Sequence, residues 1–182
     1  MSTDLSAITG TWEFDPSHTN LGFNARHAMV AKVRGGFSDV TGTLVLDGAN
    51  PAASTATVTI MAASLDTKNA DRDAHLKSAD FLDVEQFPTI TFSSTSAKQI
   101  SDDEFEVIGD LTIHGVTKPV TVKMELTGVG QDPWGGTRIG FEGKAEISRK
   151  DFGMVWNVAL EAGGVLVSDT IKLELDVEAV KQ

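Results

Sequence analysis

The chain has 182 residues, of which 41% are hydrophobic and 23% charged, and this suits one globular domain with a real core. Its formal net charge of -11 disfavours nucleic acid and anionic lipid surfaces as general partners, because both carry negative charge. The absence of cysteine excludes disulfides, thiol catalysis and thiolate metal sites.

The amino terminus, residues 1–10, has neither a basic region nor an apolar run, so it does not resemble a signal peptide. No stretch approaches the ~20 apolar residues that a membrane-spanning helix needs. For the sequence as written we expect a cytoplasmic location and no integral membrane segment, and a natural leader replaced by Met1 would undo the first inference. We expect a single domain over residues 1–182, in which residues 1–10 form a flexible or loosely packed segment.

The first predicted strands alternate apolar and polar residues with a period of two. In residues 18–27, Leu21, Phe23 and Ala25 share one face. The same alternation recurs more briefly in residues 56–60. Such a pattern indicates strands with one face against a core and the other in water.

The segment near residues 69–80 lacks this alternation and is predicted to form a short helix. Asn69 suits the N-cap, and Asp71 and Asp73 lie in the first turn, where the helix dipole favours negative charge. Asp71 and His75 are four residues apart, as helical metal ligands often are. The other histidines lie on distant strands, so we interpret these groups as capping and ion-pairing residues and predict neither a metal site nor a catalytic site.

Alternation then returns and continues to the end of the chain. It is clearest in residues 171–179, where Ile171, Leu173 and Leu175 share one face and Lys172 lies on the other. About eight such strands with few helices imply a sandwich or a barrel. The other strands predicted after the helix are residues 89–94, 104–113, 120–126 and 139–147.

Five blocks of sequence, taken in their order and spacing, are typical of one known family. They are FDPSHTNLGFNARHAMVAKVRGGF, RDAHLKSADFLDVEQFPTITFSST, GDLTIHGVTKPVTV, ISRKDFGMVWN and VSDTIKLELDVEA. Together they extend from Phe14 to Ala179. On these blocks the chain resembles the YceI-like family, also described as polyisoprenoid-binding or lipocalin-like proteins.

The resemblance implies an all-β fold, an extended eight-stranded antiparallel lipocalin-like barrel with a short helical insertion near residues 69–80. Such a barrel encloses an elongated apolar cavity, so we expect binding, carriage or sequestration of a long-chain amphipathic lipid of the polyisoprenoid class. No cofactor and no catalysis are expected. The residues predicted to line the cavity are Phe23, Phe37, Leu76, Phe81, Phe92, Met124, Phe141, Phe152, Met154 and Trp156.

Two of these expectations depend on local detail. In an extended segment, the side chains of Phe152, Met154 and Trp156 share one face. For these residues, packing in the core and lining the cavity are nearly the same prediction. Small residues on the predicted inner faces would leave room between the large ones. These small residues are Ala25, Ala56, Gly109, Gly143 and Ala145.

A cluster of cations in this acidic chain is the predicted head-group site, because lipid carriers of this type often take a ligand with a phosphate or another polar head. The alternative is that these side chains point outward and pair with acidic neighbours. Gly35 and Gly36, which follow the cluster, are expected to allow a bulge or a bend. The predicted head-group residues are Arg26, His27, Lys32 and Arg34.

Two other functions stay open at this level. A stress-related interaction protein would have an incidental or filled cavity, and an enzyme acting on such a lipid would use His75 beside Asp71 as its base. Exposed strand edges make a homodimer plausible. Whether the barrel is hollow distinguishes a lipid carrier from an interaction protein.

Overall fold

The computed structural model describes residues 5–161 and 163–182, and nearly all of its regular structure is one antiparallel sheet. A single α-helix interrupts the order of strands in the described part of the chain. The elements are β1 (Gly10–Phe14), β2 (Asn20–His27), β3 (Ala31–Phe37), β4 (Val40–Leu46), β5 (Thr55–Met61), β6 (Leu65–Asp66), α1 (Ala70–Lys77), β7 (Thr89–Gln99), β8 (Glu104–Ile113), β9 (Val116–Gln131), β10 (Thr137–Ser148) and β11 (Thr170–Lys181).

The sheet closes on itself because β11 pairs with β10 on one side and with the first strands on the other. The first half of β11 pairs with β2, and the last residues of β11 pair with β1, which in turn pairs with β4. The successive segments β1 and β2, β3 and β4, and β5 and β6 therefore act as three interrupted strands. With β7 to β11 they form the closed eight-stranded antiparallel barrel that the sequence predicts, and the fold expectation is confirmed.

One end of the barrel is filled by a packed cluster centred on Trp12, which is 0% exposed. Its indole Nε1 donates a hydrogen bond of 2.8 Å to the carbonyl oxygen of Ile8. Residues Leu5–Ile8 form a turn of 3₁₀-helix whose Leu5 and Ile8 side chains are buried in this cluster. Of the segment expected to be loose, Leu5 and Ile8 are therefore packed in the core, residues 6, 7 and 9 are exposed, and residues 1–4 lie outside the described part.

Two of the predicted small inner residues do not leave room. An added Cβ at Gly109 would lie 2.4 Å from the ring of Phe92, and one at Gly143 would lie 2.5 Å from the sulfur of Met124. Large side chains on neighbouring strands thus cover both glycines. The expectation that these positions open the interior is wrong, because the space above each glycine is already occupied.

The glycines of β3 also differ from expectation, since β2 and β3 pair without a register shift from Leu21 to His27. The predicted bulge is therefore absent from this strand pair. Instead, a Cβ at Gly35 would lie 2.4 Å from the ring of Phe23 and 2.8 Å from Thr67. Gly35 is needed for the close approach of that ring across the strand pair.

The helix begins where the sequence predicts, because the Asn69 side chain accepts a hydrogen bond of 3.0 Å from the backbone N–H of Arg72. Asp73, in the first turn, accepts hydrogen bonds from the backbone N–H and the hydroxyl of Thr67. These bonds, chiefly the one from the hydroxyl, hold the pKa of Asp73 below its usual range. The helix is thereby fixed to the strand segment that precedes it.

Candidate functional site

The half of the barrel away from Trp12 holds a cavity of about 540 Å³. Apart from Gly22 and six ionisable residues, every side chain that lines it is apolar. The apolar lining residues are Leu21, Phe23, Ala25, Val33, Phe37, Ile60, Leu65, Leu76, Phe81, Leu82, Ile90, Leu111, Ile113, Ile147, Met154, Trp156, Leu166, Val167, Ile171, Leu173 and Leu175.

The inward face of β11 shows where the interior changes from filled to hollow. Val177 and Ala179 are fully buried at the Trp12 end, whereas Ile171, Leu173 and Leu175 are only partly buried and line the cavity. All five alternate onto the same face of one strand. The accessible surface of the last three therefore faces an internal space that no side chain fills.

The ionisable lining residues mark one end of the cavity as its mouth. Arg26 and His27 end β2, and Asp71, Arg72 and His75 belong to α1. Arg26, His27 and Asp71 are exposed, in contrast to the apolar lining residues. The cavity is thus apolar inside and carries charge where β2 and α1 meet solvent, an arrangement that suits an amphipathic ligand.

Three rings pack against one another, edge-on or tilted, across the gap between α1 and the segment after β10. The ring centroids of His75 and Trp156 are 4.6 Å apart, and that of Phe81 lies 5.1 Å from His75 and 5.5 Å from Trp156. The Nε2 atom of His75 lies 2.9 Å from a carboxylate oxygen of Asp80, so its hydrogen-bond partner is Asp80 and not Asp71. The histidine therefore supports the aromatic cover of the cavity.

Arg149 is a buried cation that the sequence analysis did not identify. Only 2% of its side chain is exposed, and it lines the cavity beneath the ring of Phe81, 5.9 Å from the ring centroid. Burial lowers the pKa of its guanidinium, although Asp169 partly opposes this shift. The sequence signal that could have identified Arg149 is its position, because it lies between the end of a strand with an inward-facing apolar face and the apolar segment that follows.

Hydrogen bonds occupy the whole guanidinium of Arg149. Its Nη1 donates to the carbonyl oxygens of Met154 (2.7 Å) and Trp156 (2.8 Å). Its Nε and Nη2 donate to the carbonyl oxygens of Ser168 (2.9 Å) and Val167 (3.2 Å), and Nη2 lies 3.5 Å from Asp169. Because an arginine has five N–H donors, none is left for a ligand, and the residue ties together both ends of the mouth loop, residues 153–169.

The mouth loop is also bonded to β2. The backbone N–H of Ala28 donates to the carbonyl oxygen of Leu166 at 2.7 Å, and His27 pairs with Val167 in an isolated β-bridge. Within the loop, the Asn157 side chain donates to and accepts from the backbone of Val167. The loop and the β2–β3 turn therefore form one continuous edge of the mouth.

The structure brings six of the ten predicted cavity residues to the cavity and places four elsewhere. Phe92 and Met124 pack over glycines as described above, and Phe141 is buried in the cluster around Trp12. Phe152 is buried because residues 149–152 form a 3₁₀-turn, so the expected extended segment is wrong there. The six that line the cavity are Phe23, Phe37, Leu76, Phe81, Met154 and Trp156.

The predicted head-group cluster divides in a similar way. Arg26 and His27 contribute to the lining of the mouth, whereas Lys32 and Arg34 do not. Arg26 pairs directly across from Lys32. Because side chains alternate along a strand and Phe23, Ala25 and Val33 line the cavity, the register places Lys32 and Arg34 on the outer face of this ribbon. Arg26 belongs to the same face by alternation, but it lies near the end of β2 and therefore also borders the mouth.

A second polar cluster lies at the filled end, where Asp15, His18 and Glu178 have potential ligand atoms within 4.8 Å of one another. Arg138 lies among them, with Nη1 at 2.6 Å from Asp15 and 2.8 Å from Glu178. Hydrogen bonds from Ser17 and then from Arg138 and His18 hold the pKa of Asp15 well below its usual range. Its bond to His18 raises the pKa of that histidine. A cation already satisfies these carboxylates, so the cluster is an ion-pair network.

In the described part of the chain, no helix combines the length and the apolar character that crossing a bilayer requires.

Comparisons with known proteins agree with this architecture. Protein YceI of Escherichia coli O157:H7 is 42% identical over 179 residues, covering 97% of this chain and 90% of that protein. BcnA of Burkholderia cenocepacia superposes with a TM-score of 0.78 at 22% identity, covering 91% of this chain and 98% of BcnA. A polyisoprenoid binding domain of Saccharophagus degradans superposes with a TM-score of 0.70 at 13% identity, covering 94% and 98%. Residues 12–179 match the model of the YceI-like domain, and the chain therefore belongs to the YceI-like family.

Proposed function

We propose that the protein binds one long-chain amphipathic lipid, with its chain in the cavity and its polar head at the mouth, and that it carries or sequesters this lipid. The observation that carries the proposal is the apolar cavity of about 540 Å³ with its ionisable residues confined to one end. Its size lies within the range typical of small-molecule sites. A polyisoprenoid is the proposed ligand class, and the Saccharophagus degradans neighbour described as a polyisoprenoid binding domain supports it.

The energetics favour a long chain over a short one. Burial of each methylene contributes about 0.8 kcal/mol, so a five-carbon isoprene unit contributes about 4 kcal/mol. Association costs ~4–15 kcal/mol in lost freedom of motion. About one to four buried units are thus needed to offset this cost, and each further unit adds to the affinity, so a longer chain binds more tightly than a short prenyl compound.

We propose binding without catalysis because the ionisable groups nearest the apolar interior already have structural partners. The imidazole of His75 contacts Asp80, and Arg149 donates to the backbone of the mouth loop. The Nε2 atom of His75 and all five N–H groups of Arg149 are therefore occupied by protein partners. An enzyme of this fold that used His75 would lose turnover, but not lipid binding, in a His75→Ala variant.

The direct test is mass spectrometry on the organic extract of gently purified protein. We expect a lipid in the wild type and its loss in an Ala25→Phe variant, which places a ring in the cavity. Thr59→Phe is the matched control, since Thr59 is exposed on the outer face of β5 next to the lining residue Ile60. Equal lipid content in all three proteins would contradict a ligand site in the cavity.

A second readout uses tryptophan fluorescence, because the three tryptophans differ in position. Trp156 lines the cavity, Trp12 is fully buried in the filled end, and Trp134 is 85% exposed. A long-chain prenyl alcohol should change the emission of the wild type and of Trp134→Phe, but not that of Trp156→Phe. The absence of any change in the wild type, together with an extract free of lipid, would refute the proposal.

A further inference from the structure

Half of the large apolar side chains that the described residues expose lie on two short segments at the mouth of the cavity. We call these two segments the mouth rim. They are residues 28–30 in the β2–β3 turn and, in the mouth loop, residues 155–161 and 163–165. Val30 is 79% exposed and Val155 is 63% exposed. The exposed apolar rim residues are Met29, Val30, Val155, Val158 and Val165.

The two segments adjoin because they are bonded to each other, and Val158 and Val165 lie in the paired part of the mouth loop. The N–H of Ala28 donates to Leu166, and a Cβ at Gly164 would lie 3.0 Å from the side chain of Met29. Isolated exposed apolar residues are ordinary on protein surfaces, but a contiguous group beside a cavity mouth marks an interaction surface.

The β2–β3 turn is also built against local preference. Ala28 and Met29 both have positive φ, at 51° and 64°. The N–H of Val30 donates to the carbonyl oxygen of His27, so Ala28 and Met29 are the central residues of a β-turn within a three-residue loop. Such positions favour Asn and Gly, which adopt positive φ at low cost. A strained methionine with an exposed side chain at the tip indicates that the tip is maintained for contact and not for the stability of the turn.

The outer face of the β2–β3 ribbon, beside the rim, is positively charged, although the whole chain is strongly acidic. No acidic residue occurs between Asp15 and Asp39. The outer face of the β2–β3 ribbon carries Arg26, Lys32 and Arg34, and none of the three forms an ion pair among the described residues. The net charge of -11 is an average over the surface and does not describe this ribbon.

The spacing of these groups matches the layers of a membrane surface. At about 3.3 Å per residue, Lys32 lies ~7 Å from Val30 along β3, and Arg34 lies ~13 Å away. The polar layer on each side of a bilayer is about 5–7 Å thick. With Met29 and Val30 at the boundary of the acyl chains and β3 along the membrane normal, Lys32 would lie at the outer edge of this layer and Arg34 ~6 Å beyond it.

We propose that the mouth rim docks the protein on a lipid bilayer bearing anionic head groups, with the cavity mouth against the membrane. Val30 and its apolar neighbours would enter the interface, Lys32 would contact the phosphates, and Arg34, farther out, would be attracted by their charge. Glu161 is the only acidic residue of the rim sequence and would lie in the more hydrated part of the contact. The inference extends the proposed function to the surface around the mouth, because docking would bring a membrane lipid directly to the cavity.

The test is co-sedimentation of the full chain with vesicles of phosphatidylcholine, with and without phosphatidylglycerol. Wild type should bind the mixed vesicles, and Met29→Asn with Val30→Ser should bind them on the order of tenfold more weakly. Asparagine adopts positive φ readily, so this variant is expected to fold. Trp134→Ser is the matched control, because Trp134 is an equally exposed apolar residue at the filled end.

Charge is tested separately with Lys32→Gln and Arg34→Gln, each of which should weaken binding to the mixed vesicles about fivefold. Lys98→Gln, on the exposed end of β7, should have no effect. Failure of the wild type to bind, or equal losses in the rim and control variants, would overturn the proposal. So would a rim that instead holds two copies together, shown by a wild-type dimer that the rim variant converts to a monomer. Because lipid content and vesicle binding are measured separately, either proposal can fail without the other.

Discussion

Replacing Arg149 with methionine keeps an unbranched apolar stem, two atoms shorter than the arginine side chain, and removes the five N–H donors. We expect the change to destabilise the protein by about 3 kcal/mol. The physical reason is that four carbonyl oxygens and one carboxylate each lose a donor at once. Asn157 still donates to Val167 and Lys150 still pairs with Asp169, so the loss is complete only in part of this set. The effect should be largest in the mouth loop, whose two ends are joined through this side chain.

The magnitude is a balance of two opposed contributions. Hydrogen bonds from a charged donor are worth about 1.5–3 kcal/mol each, but burial of a guanidinium costs several kcal/mol, which methionine avoids. Water can replace the lost bonds at Val167 and Ser168, which are only partly buried, but less readily at Met154, which is buried. Removing one partner from a buried charged network typically costs ~3–5 kcal/mol, and the exposed Asp169 favours the lower end.

Two measurements check this expectation. Thermal unfolding should show a Tm lower by about 6–12 °C, the shift that ~3 kcal/mol produces in a protein of this length. Hydrogen exchange should accelerate in residues 153–169 more than in β8 and β9. Lys150→Met is the matched control, because Lys150 is an exposed neighbour whose pair with Asp169 is worth less than about 1 kcal/mol. An unchanged or higher Tm for Arg149→Met, with unchanged exchange in the loop, would refute the reasoning.

Three further predictions follow from the packing and from the shifted pKa values. Ala25→Phe should leave the urea midpoint nearly unchanged because the ring enters the cavity, whereas Ala179→Phe, within the cluster around Trp12, should cost about 1–3 kcal/mol; equal losses would contradict the hollow-and-filled description. The raised pKa of His18 means that its stabilising effect is complete below the unfolded value of ~6.5 and is lost as pH rises through the folded value. His18→Gln should therefore lower stability at mildly acidic pH and have little effect at alkaline pH, as measured by urea unfolding. The pKa of Asp73 is lowered, so its effect has the opposite sign: the stability from its bonds to Thr67 is present above pH ~3.9 and is lost as pH falls through the folded pKa. Asp73→Asn should therefore make the decrease in stability at acidic pH less steep. An unchanged decrease would contradict the assignment.

The predicted and observed elements agree where alternation is long and one-sided. The strand predicted over residues 171–179 lies within β11, and the helix predicted near residues 69–80 is α1 with Asn69 as its N-cap. The sequence analysis did not identify β1 and β4, although Val40 and Leu44 point inward in β4. Those strands are short and Gly- and Thr-rich, and such segments carry a weaker periodic signal.

The site was predicted less well than the fold, and individual residues show why. Phe81 and Trp156 line the cavity, whereas Phe141, also an inward-facing aromatic residue, belongs to the filled end. Alternation predicts which face of the sheet a side chain occupies. It does not predict the position of that side chain along the barrel axis, because this position depends on how neighbouring strands pair. Arg149 was missed because its role depends on carbonyl groups up to 19 residues away in the sequence.

The sequence by itself determined the class of the molecule. Period-two alternation specifies which side chains face the interior, and the ordered blocks from Phe14 to Ala179 specify the family. Only the tertiary structure decided which half of that interior is hollow. This depends on volumes contributed by residues far apart in the chain, such as Trp12 against Ala179, or Phe92 over Gly109. Packing of this kind is a property of the assembled barrel, because no local pattern records how much space the opposite strands leave.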